Sequence, residues 1–413
     1  MRWCELRLLE VATNSLSEMG VVNDRTRMIH IFINAFSASA GGGLTYVRNV
    51  VPRLATREGV RTTLLVGTTL HEEMSESPQV TVLSESGLNS SAGRFWYEQR
   101  NLPRAIRRAG ANVLLSTGNF ALYRSPVPQI LLSRNALYTS TDFLRDVQER
   151  GDYRLWMDTK IKSALARWSV QVADRTVAPS ATFAGGLRNW TGKEVGFIHH
   201  GFDHDAFFRE QVPLQQELQA QFAATEGAIR ILFVSHYNYY RNFETLIRAT
   251  AILKKKLYPR AVRLILTCRL SSKDNPGTYQ ADQAADLVSQ LGLRQEVVEL
   301  GAVPYAALHH LYRNCDMYAT SAYAETFAHP LVEAMASGLP VIASDLAVHR
   351  EICGEAAQYF PRFEPEMLAE RIMQVCNSEE QKATMREMGV VRSHDFSWDK
   401  HVEELLLLAR SLT

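Results

Sequence analysis

Two glutamates eight positions apart, Glu325 and Glu333, are the residues whose types and spacing most clearly indicate chemistry. Pro330 predicts a helix start between them, because its fixed φ suits the first helical position and its missing N–H is not needed there. The N–H groups of Leu331 and Val332 are then expected to be free and, with the positive end of the helix dipole, to suit a diphosphate. Glu333 can accept hydrogen bonds from both hydroxyls of a ribose, since a carboxylate offers acceptors only. Glu325, on the preceding loop, would face the sugar end of the same ligand, so the pair predicts a sugar-nucleotide site.

The surroundings of these glutamates favour one of two interpretations. The helix dipole alone favours a glutamate early in a helix, so a purely structural role is the alternative to ligand binding. Small residues at Ala334, Ala336 and Gly338 favour the ligand, because they let the backbone approach both a ligand and a neighbouring strand. Gly338 and Pro340 also supply a C-cap and a stop, which limits the predicted helix to about two turns before a short buried strand.

A glycine cluster after the first predicted strand is a second candidate for ligand contact. The segment 37–43 reads SASAGGG, and its glycines let the backbone pass close to a ligand where a helix starts near Leu44. The dinucleotide fingerprint G-x-G-x-x-G is not met, because Leu44 to Tyr46 supply no third glycine. By itself, such a cluster is weak evidence for a ligand.

The elements that must position these residues alternate between strand and helix along the chain. This alternation is typical of parallel sheets with helices on both faces, and each half is expected to be a Rossmann-like unit. The predicted strands, in chain order, are Met28–Phe36, Thr62–Val66, Val80–Leu83, Val113–Ser116, Gln129–Ser133, Arg175–Ala178, Ile229–Ser235, Arg263–Thr267, Val297–Leu300, Met317–Thr320 and Pro340–Ala343.

The segment Ser321–Asp345 resembles the signature of the large retaining glycosyltransferase family 4, which carries two glutamates at this spacing before a small-residue helix and a short strand. Other segments are similar to the family's phosphate loop, its base-holding turn, a strand end of its acceptor half and its pre-hinge segment. These segments are Arg230–Ala249, Leu300–Val303, Ala173–Ser180 and Ile198–Asp203. The resemblance implies an α/β protein of the GT-B fold, with two Rossmann-like domains facing each other across a cleft. It also implies retaining transfer of a hexose from a nucleoside-diphosphate sugar to a glycan, lipid-linked or other hydroxyl acceptor.

The resemblance also implies roles for individual residues. Glu325, which would hold the donor sugar, and Arg241, which would reach the phosphates, are the catalytic candidates. Glycines of the first loop would close over the donor diphosphate. The residues expected to contact the donor are Gly42, Gly43, Ser235, His236, Arg241, Val303, Thr326, Phe327, Ala328, His329, Leu331 and Glu333.

Three departures from the family pattern affect these assignments. His236 and Arg241 occupy positions where the family commonly has Arg and Lys, and His236 is cationic only below its pKa. Ala328 replaces a glycine, so we expect this loop to have negative φ there. Arg134 and Asn135 lie where many members have a histidine near the reaction centre, which leaves the catalytic group of the first domain undefined.

Composition indicates a large soluble enzyme. The 413 residues exceed what one core usually supports, and 45 Lys+Arg against 44 Asp+Glu argue against nucleic-acid binding by bulk charge. The five cysteines, at 4, 268, 315, 353 and 376, form no C-x-x-C pair, so reduced thiols and a cytoplasmic location are expected. No apolar run is long enough to cross a bilayer.

The predicted domain organisation follows these patterns. Residues 1–27 form an extension without assigned function, residues 28–208 an acceptor domain, and residues 209–395 a donor domain. Residues 396–413 form an amphipathic helix, which the resemblance implies crosses back onto the first domain.

Three further expectations concern partners and rival functions. The helix Arg94–Arg108 mixes aromatics with five arginines and is a candidate for peripheral contact with an inner membrane surface, although a solvated basic face is the favoured alternative. Neither a metal nor a cofactor is expected, because no Asp-x-Asp lies at a strand end in a plausible donor site and the His and Cys residues do not cluster at ligand spacings. The rival functions are a sugar-nucleotide epimerase or phosphorylase of the same architecture and a non-catalytic sugar-nucleotide-binding protein.

Overall fold

The computed structural model describes residues 28–38, 41–75, 79–85, 91–209, 212–275 and 279–413. The predicted extension, residues 1–27, lies outside these described residues, and so does Cys4. The four cysteines within them are buried and free.

Within the described residues, the strands form two sheets, one of seven strands and one of six. The strands of the first sheet are β1 Ile29–Ala35, β2 Val60–Gly67, β3 Val80–Glu85, β4 Val113–Ser116, β5 Gln129–Leu132, β6 Arg175–Ala178 and β7 Gly196–Phe197. Those of the second are β8 Ile229–Phe233, β9 Val262–Leu266, β10 Val297–Glu299, β11 Met317–Thr320, β12 Val341–Ser344 and β13 Ala357–Phe360. The predicted fold class of parallel sheets is confirmed, and each of the predicted strands is present with its bounds within two residues.

Helices cover the sheets on the connections between successive strands. The helices, in chain order, are α1 Gly42–Ala55, α2 Thr68–Ser75, α3 Ser91–Ala109, α4 Thr141–Glu149, α5 Tyr153–Val172, α6 Ala181–Thr191, α7 His204–Arg209, α8 Gln216–Ala223, α9 Phe243–Lys256, α10 Asp282–Gln290, α11 Leu308–Asn314, α12 His329–Ala336, α13 Ala347–Cys353, α14 Pro365–Cys376, α15 Glu379–Ser393 and α16 Trp398–Arg410.

Strand burial explains why the strand pattern is legible in the sequence. All seven residues of β1 are buried, as expected for a parallel strand covered on both faces. β8, β9, β11 and β12 likewise consist mainly of buried apolar residues. The two strands that the sequence did not predict, β7 and β13, lie at sheet edges, where β7 is exposed and β13 is half-buried.

The strand orders reveal where ligands bind in such sheets. The second sheet has the order β10-β9-β8-β11-β12-β13, so successive connections leave β8 in one direction and return to β11 on its other side. Ligands of open parallel sheets bind outside the carboxyl ends of the strands at such a switch point. In the second sheet this point lies between the loops that follow β8 and β11. The first sheet, ordered β3-β2-β1-β4-β5-β6-β7, has its switch point between β1 and β4.

Contact density groups the chain into two compact units. One comprises the described residues up to Gly118 with Leu122–Ile130 and Leu406–Thr413, and the other comprises Asn119–Ala121 and Leu131–Leu405. This grouping differs from the predicted domains, whose boundaries near residues 208 and 395 stay a prediction. Helix α16 is present as predicted near the C-terminus, and its role as a crossing helix also stays a prediction.

Candidate functional site

The loop after β8 is rigidly attached to the loop after β11. A 3₁₀ turn, Tyr239–Arg241, is followed by Asn242 with a left-handed backbone. The Asn242 side chain donates to the carbonyls of Ser321 at 3.2 Å and Arg362 at 2.7 Å. In return, the Ser321 hydroxyl donates to the Asn242 carbonyl at 2.7 Å. These bonds fix the two loops at the switch point relative to each other.

The two residues predicted to be catalytic form an ion pair across these loops. The Arg241 guanidinium donates to the Glu325 carboxylate, and their side chains are 17% and 10% exposed. Among the described residues, the buried Nε of Arg241 finds no hydrogen-bond partner. A buried N–H of this kind is costly unless an acceptor reaches it, so the guanidinium retains capacity for an anionic ligand. Both residues were predicted from the sequence as catalytic candidates, but the ion pair between them was not.

His236 lies on the same loop with an exposed side chain. Partial desolvation and the nearby Arg241 charge lower the pKa of His236, so its imidazole is neutral at pH 7 without a ligand. The neighbouring Ser235 hydroxyl donates to the His236 carbonyl at 2.7 Å, and the Ser235 amide donates to the Thr267 hydroxyl at 3.0 Å. Both side chains thus lie on the loop after β8, and their contact with a donor stays a prediction.

Helix α12 begins at His329, with Pro330 in its first turn, and is two turns long as predicted. Ala328 precedes it with φ 64° and ψ 68°, a left-handed conformation, so the expectation of negative φ is wrong. The helix keeps the sharp entry that a glycine permits, and surrounding contacts hold the alanine in a conformation that its Cβ disfavours.

Ala328→Gly is therefore expected to raise the free energy of unfolding by about 1 kcal/mol, since left-handed backbone is unfavourable for alanine and permitted for glycine. Ala336→Gly, within the same helix, is the matched control and is expected to lower stability by about 1 kcal/mol. Urea denaturation of the three proteins measures both changes. Equal losses for both variants would show that the backbone at residue 328 carries no strain.

Two residues predicted to contact the donor, Leu331 and Phe327, make contacts within the protein, and donor contact by either stays a prediction. The Leu331 amide, predicted to be free for a diphosphate, donates to the Ala328 carbonyl at 3.0 Å because the first turn is tight, so that prediction is wrong. The Phe327 ring is buried and packs against His329 with 4.9 Å between ring centroids. Its side chain therefore serves the core, and the predicted donor contacts of Thr326 and Val303 remain untested.

Glu333 lies on α12, and its buried side chain accepts a hydrogen bond from a tyrosine. The Tyr312 hydroxyl donates to one carboxylate oxygen of Glu333 at 2.7 Å. Burial raises the pKa of Glu333 to about 7, which the bond from Tyr312 opposes only in part. A carboxyl that is costly to ionise and has limited local donors suits a ligand that brings hydroxyl donors of its own.

A pair of imidazoles at the start of α12, the buried His200 and the half-buried His329, was not predicted from the sequence. The ring nitrogens His200 Nδ1 and His329 Nε2 lie 3.1 Å apart, and His329 stacks on Trp398. Burial lowers the pKa of His329 to about 4 and holds that of His200 well below its ordinary value, so both rings are neutral and one donates to the other. No spacing in the sequence joins positions 200, 329 and 398, because tertiary packing alone brings them together.

The residues that replace the family histidine have local structural contacts. The Asn135 side chain accepts from the Leu137 amide at 3.0 Å and caps a 3₁₀ turn. The Arg134 carbonyl lies 3.5 Å from the hydroxyl of Thr326, and the Arg134 charge contributes to lowering the pKa of His329. Arg134 is thus adjacent to the loop that carries Glu325.

The glycine loop belongs to the other compact unit. Helix α1 starts at Gly42, two residues earlier than predicted, and Gly41 before it has φ 54°. A Cβ on Gly42 would meet nothing within 4 Å, and one on Gly43 would only touch Ala38 at 3.5 Å. These positions are open to a ligand, and their predicted contact with the donor stays a prediction. In the described part of the chain, no group of three His, Cys, Asp or Glu residues has metal-site geometry.

The fold corresponds to that of solved GT-B structures. Sucrose-phosphate synthase from Thermosynechococcus elongatus superposes with a TM-score of 0.73 at 18% identity, over 93% of this chain and 99% of that protein. Anabaena Alr3699/HepE in complex with UDP-glucose superposes with a TM-score of 0.69 at 18% identity, over 93% of this chain and 100% of that protein. At such identities the likeness establishes the fold.

Sequence similarity to known proteins is concentrated around the second sheet. Residues 215–390, which include the second sheet, match the model of the family described as glycosyl transferases group 1. The D-inositol 3-phosphate glycosyltransferase of Nocardia farcinica is 28% identical over 42% of this chain and 38% of its own length. The mannosylfructose-phosphate synthase of Agrobacterium fabrum is 27% identical over 54% of this chain and 48% of its own length. The chain thus spans less than half the length of both relatives.

Proposed function

We propose that this protein transfers a hexose from a nucleoside-diphosphate sugar to a hydroxyl acceptor, such as a glycan or lipid-linked sugar, with retention of configuration. The observation that carries the proposal is the Arg241–Glu325 pair at the switch point of a glycosyltransferase domain. The buried carboxyl of Glu333 lies on the helix that follows the same loop. A cation, a sugar-facing carboxylate and a ribose acceptor are the groups that a nucleotide sugar requires.

The proposed roles follow from where charge develops during transfer. Cleavage between sugar and diphosphate leaves negative charge on the phosphate and oxocarbenium character on the sugar. Arg241, with an unused N–H, would stabilise the leaving diphosphate, and the positive end of α12 would add to this field. Glu325 would then accept hydrogen bonds from the donor sugar. Contact of Gly42 and Gly43 with the donor diphosphate is also proposed.

A two-stage experiment tests this function. Thermal shift against UDP, GDP and ADP identifies the donor class by the largest stabilisation, because a ligand that binds the folded state raises the melting temperature. The matching sugar nucleotides are then assayed with an acceptor panel, with and without EDTA, which also tests the prediction that no metal is needed. Release of the nucleoside diphosphate only when acceptor is present supports transfer. Release of the nucleoside diphosphate, or epimerisation of the sugar, without acceptor supports the epimerase or phosphorylase alternative. Binding without turnover across the panel supports a non-catalytic binding protein.

The pH dependence of donor binding tests the role of His236. Donor KM is expected to rise as pH increases through the pKa of His236, because only the imidazolium attracts a diphosphate. Partial desolvation and Arg241 lower that pKa, so the transition in the free protein lies below the ordinary value of 6.5. His236→Arg, which restores a permanent charge, is expected to remove this dependence. An unchanged profile in the variant would exclude His236 from the phosphate contact.

Location and membrane contact are proposals of a separate kind. Among the described residues, no helix is long and apolar enough to span a bilayer. The predicted membrane helix, α3, has Leu102 and Ile106 buried, and Arg104, Arg107 and Arg108 exposed. This arrangement agrees with a solvated basic face, and peripheral contact through α3 at an inner membrane surface would be electrostatic.

A further inference from the structure

Helix α5 has apolar residues on two opposite faces. Thr159, Ala166, Ser169 and Val170 are buried on one face. Tyr153, Met157, Ile161 and Trp168 lie on the other, and each is more than half exposed. One apolar stripe is enough to pack a surface helix on a protein, so a second stripe on the exposed face is an unusual feature.

The exposed stripe is continuous and long. At about 100° per residue, Tyr153, Met157, Ile161, Ala164 and Trp168 fall within an arc of about 80°, opposite the buried face. With a rise of about 1.5 Å per residue, the stripe extends about 22 Å along the helix. We call these five residues the α5 ridge. Single exposed apolar residues are ordinary, whereas a contiguous ridge marks an interaction surface.

Basic residues flank the α5 ridge. Arg154 lies on one side, and Lys160 and Arg167 lie on the other, all three exposed. Asp158, the acidic residue nearest the ridge, forms an ion pair with Lys162 at 2.7 Å, so its charge is offset. The surface that meets the ridge is therefore expected to be apolar in its interior and negatively charged at its edge.

We propose that the α5 ridge binds the surface of an anionic lipid bilayer, with α5 parallel to the membrane plane. Met157 and Ile161 would enter the boundary of the acyl chains, and the aromatic rings of Tyr153 and Trp168 would lie at the headgroup level at either end. Arg154, Lys160 and Arg167 would contact anionic headgroups. This arrangement is that of an interfacial helix, built here on a helix whose other face is anchored in the protein.

The charges favour a bilayer over a second copy of the chain. Antiparallel pairing of two α5 helices about Ile161 would bring Lys160 of one copy close to Lys160 of the other on the same side of the contact, so like charges would meet. An anionic surface neutralises the same lysines and arginines. Helix α3 lacks an equivalent ridge, because Trp96 is its one large apolar side chain recorded as exposed among the described residues.

Flotation with vesicles of phosphatidylglycerol and phosphatidylcholine tests the proposal on the full chain without any turnover, so it is independent of the proposed transferase activity. Met157→Glu combined with Ile161→Glu is expected to weaken binding at least about tenfold. The control replaces two exposed apolar residues elsewhere, Val391→Glu with Leu407→Glu, and is expected to bind like the parent. Parent binding is also expected to fall as salt rises and as phosphatidylglycerol is removed.

Three results would overturn the proposal. The parent protein could fail to float with anionic vesicles, or the α5 variant could float as well as the parent. Sedimentation could instead reveal a dimer that the α5 variant abolishes, which would assign the ridge to a second copy.

An α3 variant, Arg104→Glu with Arg107→Glu and Arg108→Glu, is expected to retain most of the binding, and loss of binding in this variant alone would move the membrane contact to α3. Melting temperatures of all variants check that they fold.

Discussion

Replacing Arg241 by methionine is expected to lower kcat/KM for the donor by about 100- to 1000-fold, the range found when one charge-stabilising donor is removed from an active site. The effect is expected mainly in kcat, because negative charge on the diphosphate grows in the transition state. Methionine keeps much of the arginine volume and removes the charge. The measurement is steady-state transfer with the sugar nucleotide that thermal shift identifies.

The contacts of Arg241 in the absence of a ligand explain why its replacement is expected to have a large effect. Arg241 pairs with Glu325, and both side chains are largely buried, so removing the guanidinium leaves a carboxylate without its cation. In the variant, the donor therefore loses its phosphate contact, and Glu325 is less well positioned for the sugar because its partner is missing. Some loss of stability is expected together with the loss of activity, and the melting temperature of the variant measures it.

Two variants serve as controls for Arg241→Met. Arg241→Lys keeps the charge and loses the planar fork, so its activity is expected to lie between those of parent and methionine variant. Arg248→Met removes an exposed arginine from α9 and is expected to leave kcat/KM unchanged. Methionine at position 241 with activity near that of the parent would remove Arg241 from the proposed mechanism.

The second large effect is expected at Glu333. Glu333→Gln is expected to raise the donor KM by about 10- to 100-fold, because hydrogen bonds to a charged acceptor contribute about 1.5–3 kcal/mol. The amide keeps the shape and can still accept from Tyr312, so the core around α12 is preserved. A matched control is Glu366→Gln, near the start of the proline-initiated helix α14, where the side chain is exposed.

The pH dependence of stability gives Glu333 a second, independent readout. The pKa of Glu333 is about 7 in the folded protein, and its ordinary value is 4.5. Between these two pH values the carboxyl is therefore protonated in the folded state and ionised in the unfolded state. Stability from this group is present below pH 4.5 and is lost as pH rises through about 7, by about 3 kcal/mol. Glutamine stays neutral, so the variant is expected to exceed the parent in stability above pH 7 and to match it at pH 4.5.

Donor affinity is expected to have the opposite pH dependence. The ionised carboxylate is the better acceptor for ribose hydroxyls, so binding through Glu333 strengthens as pH rises through about 7. Urea denaturation and calorimetry with the nucleoside diphosphate, each at several pH values, measure the two trends. A variant whose stability and donor affinity follow the parent at every pH would show that Glu333 neither ionises in this range nor contacts the nucleotide.

The strands, the short helix α12 and the two site loops were predictable because their causes are local. Continuous apolar runs identify strands buried on both faces, and Pro330 with Gly338 identifies a helix of two turns. The missed strands β7 and β13 lie at sheet edges, where the apolar pattern is weak. The left-handed conformation of Ala328 was not predicted, because alanine by itself disfavours this conformation and only the surrounding structure imposes it.

Partners within the site were harder to predict than the site itself. The spacing of Glu325 and Glu333 pointed to a ligand, but the cation paired with Glu325 lies 84 positions earlier and the donor to Glu333 lies 21 positions earlier. The stacked pair of His200 and His329 joins positions 129 residues apart. Parallel sheets bring such residues together through crossover connections, and a single sequence carries no pattern at those separations.

A crystal structure of the protein with its nucleoside diphosphate tests the central claim most directly. Ribose hydroxyls are expected within about 2.6–3.2 Å of the Glu333 carboxylate, and phosphate oxygens within the same range of the Arg241 guanidinium. A ligand bound away from the switch point of the second sheet would contradict it. A ribose out of reach of Glu333 would contradict it equally.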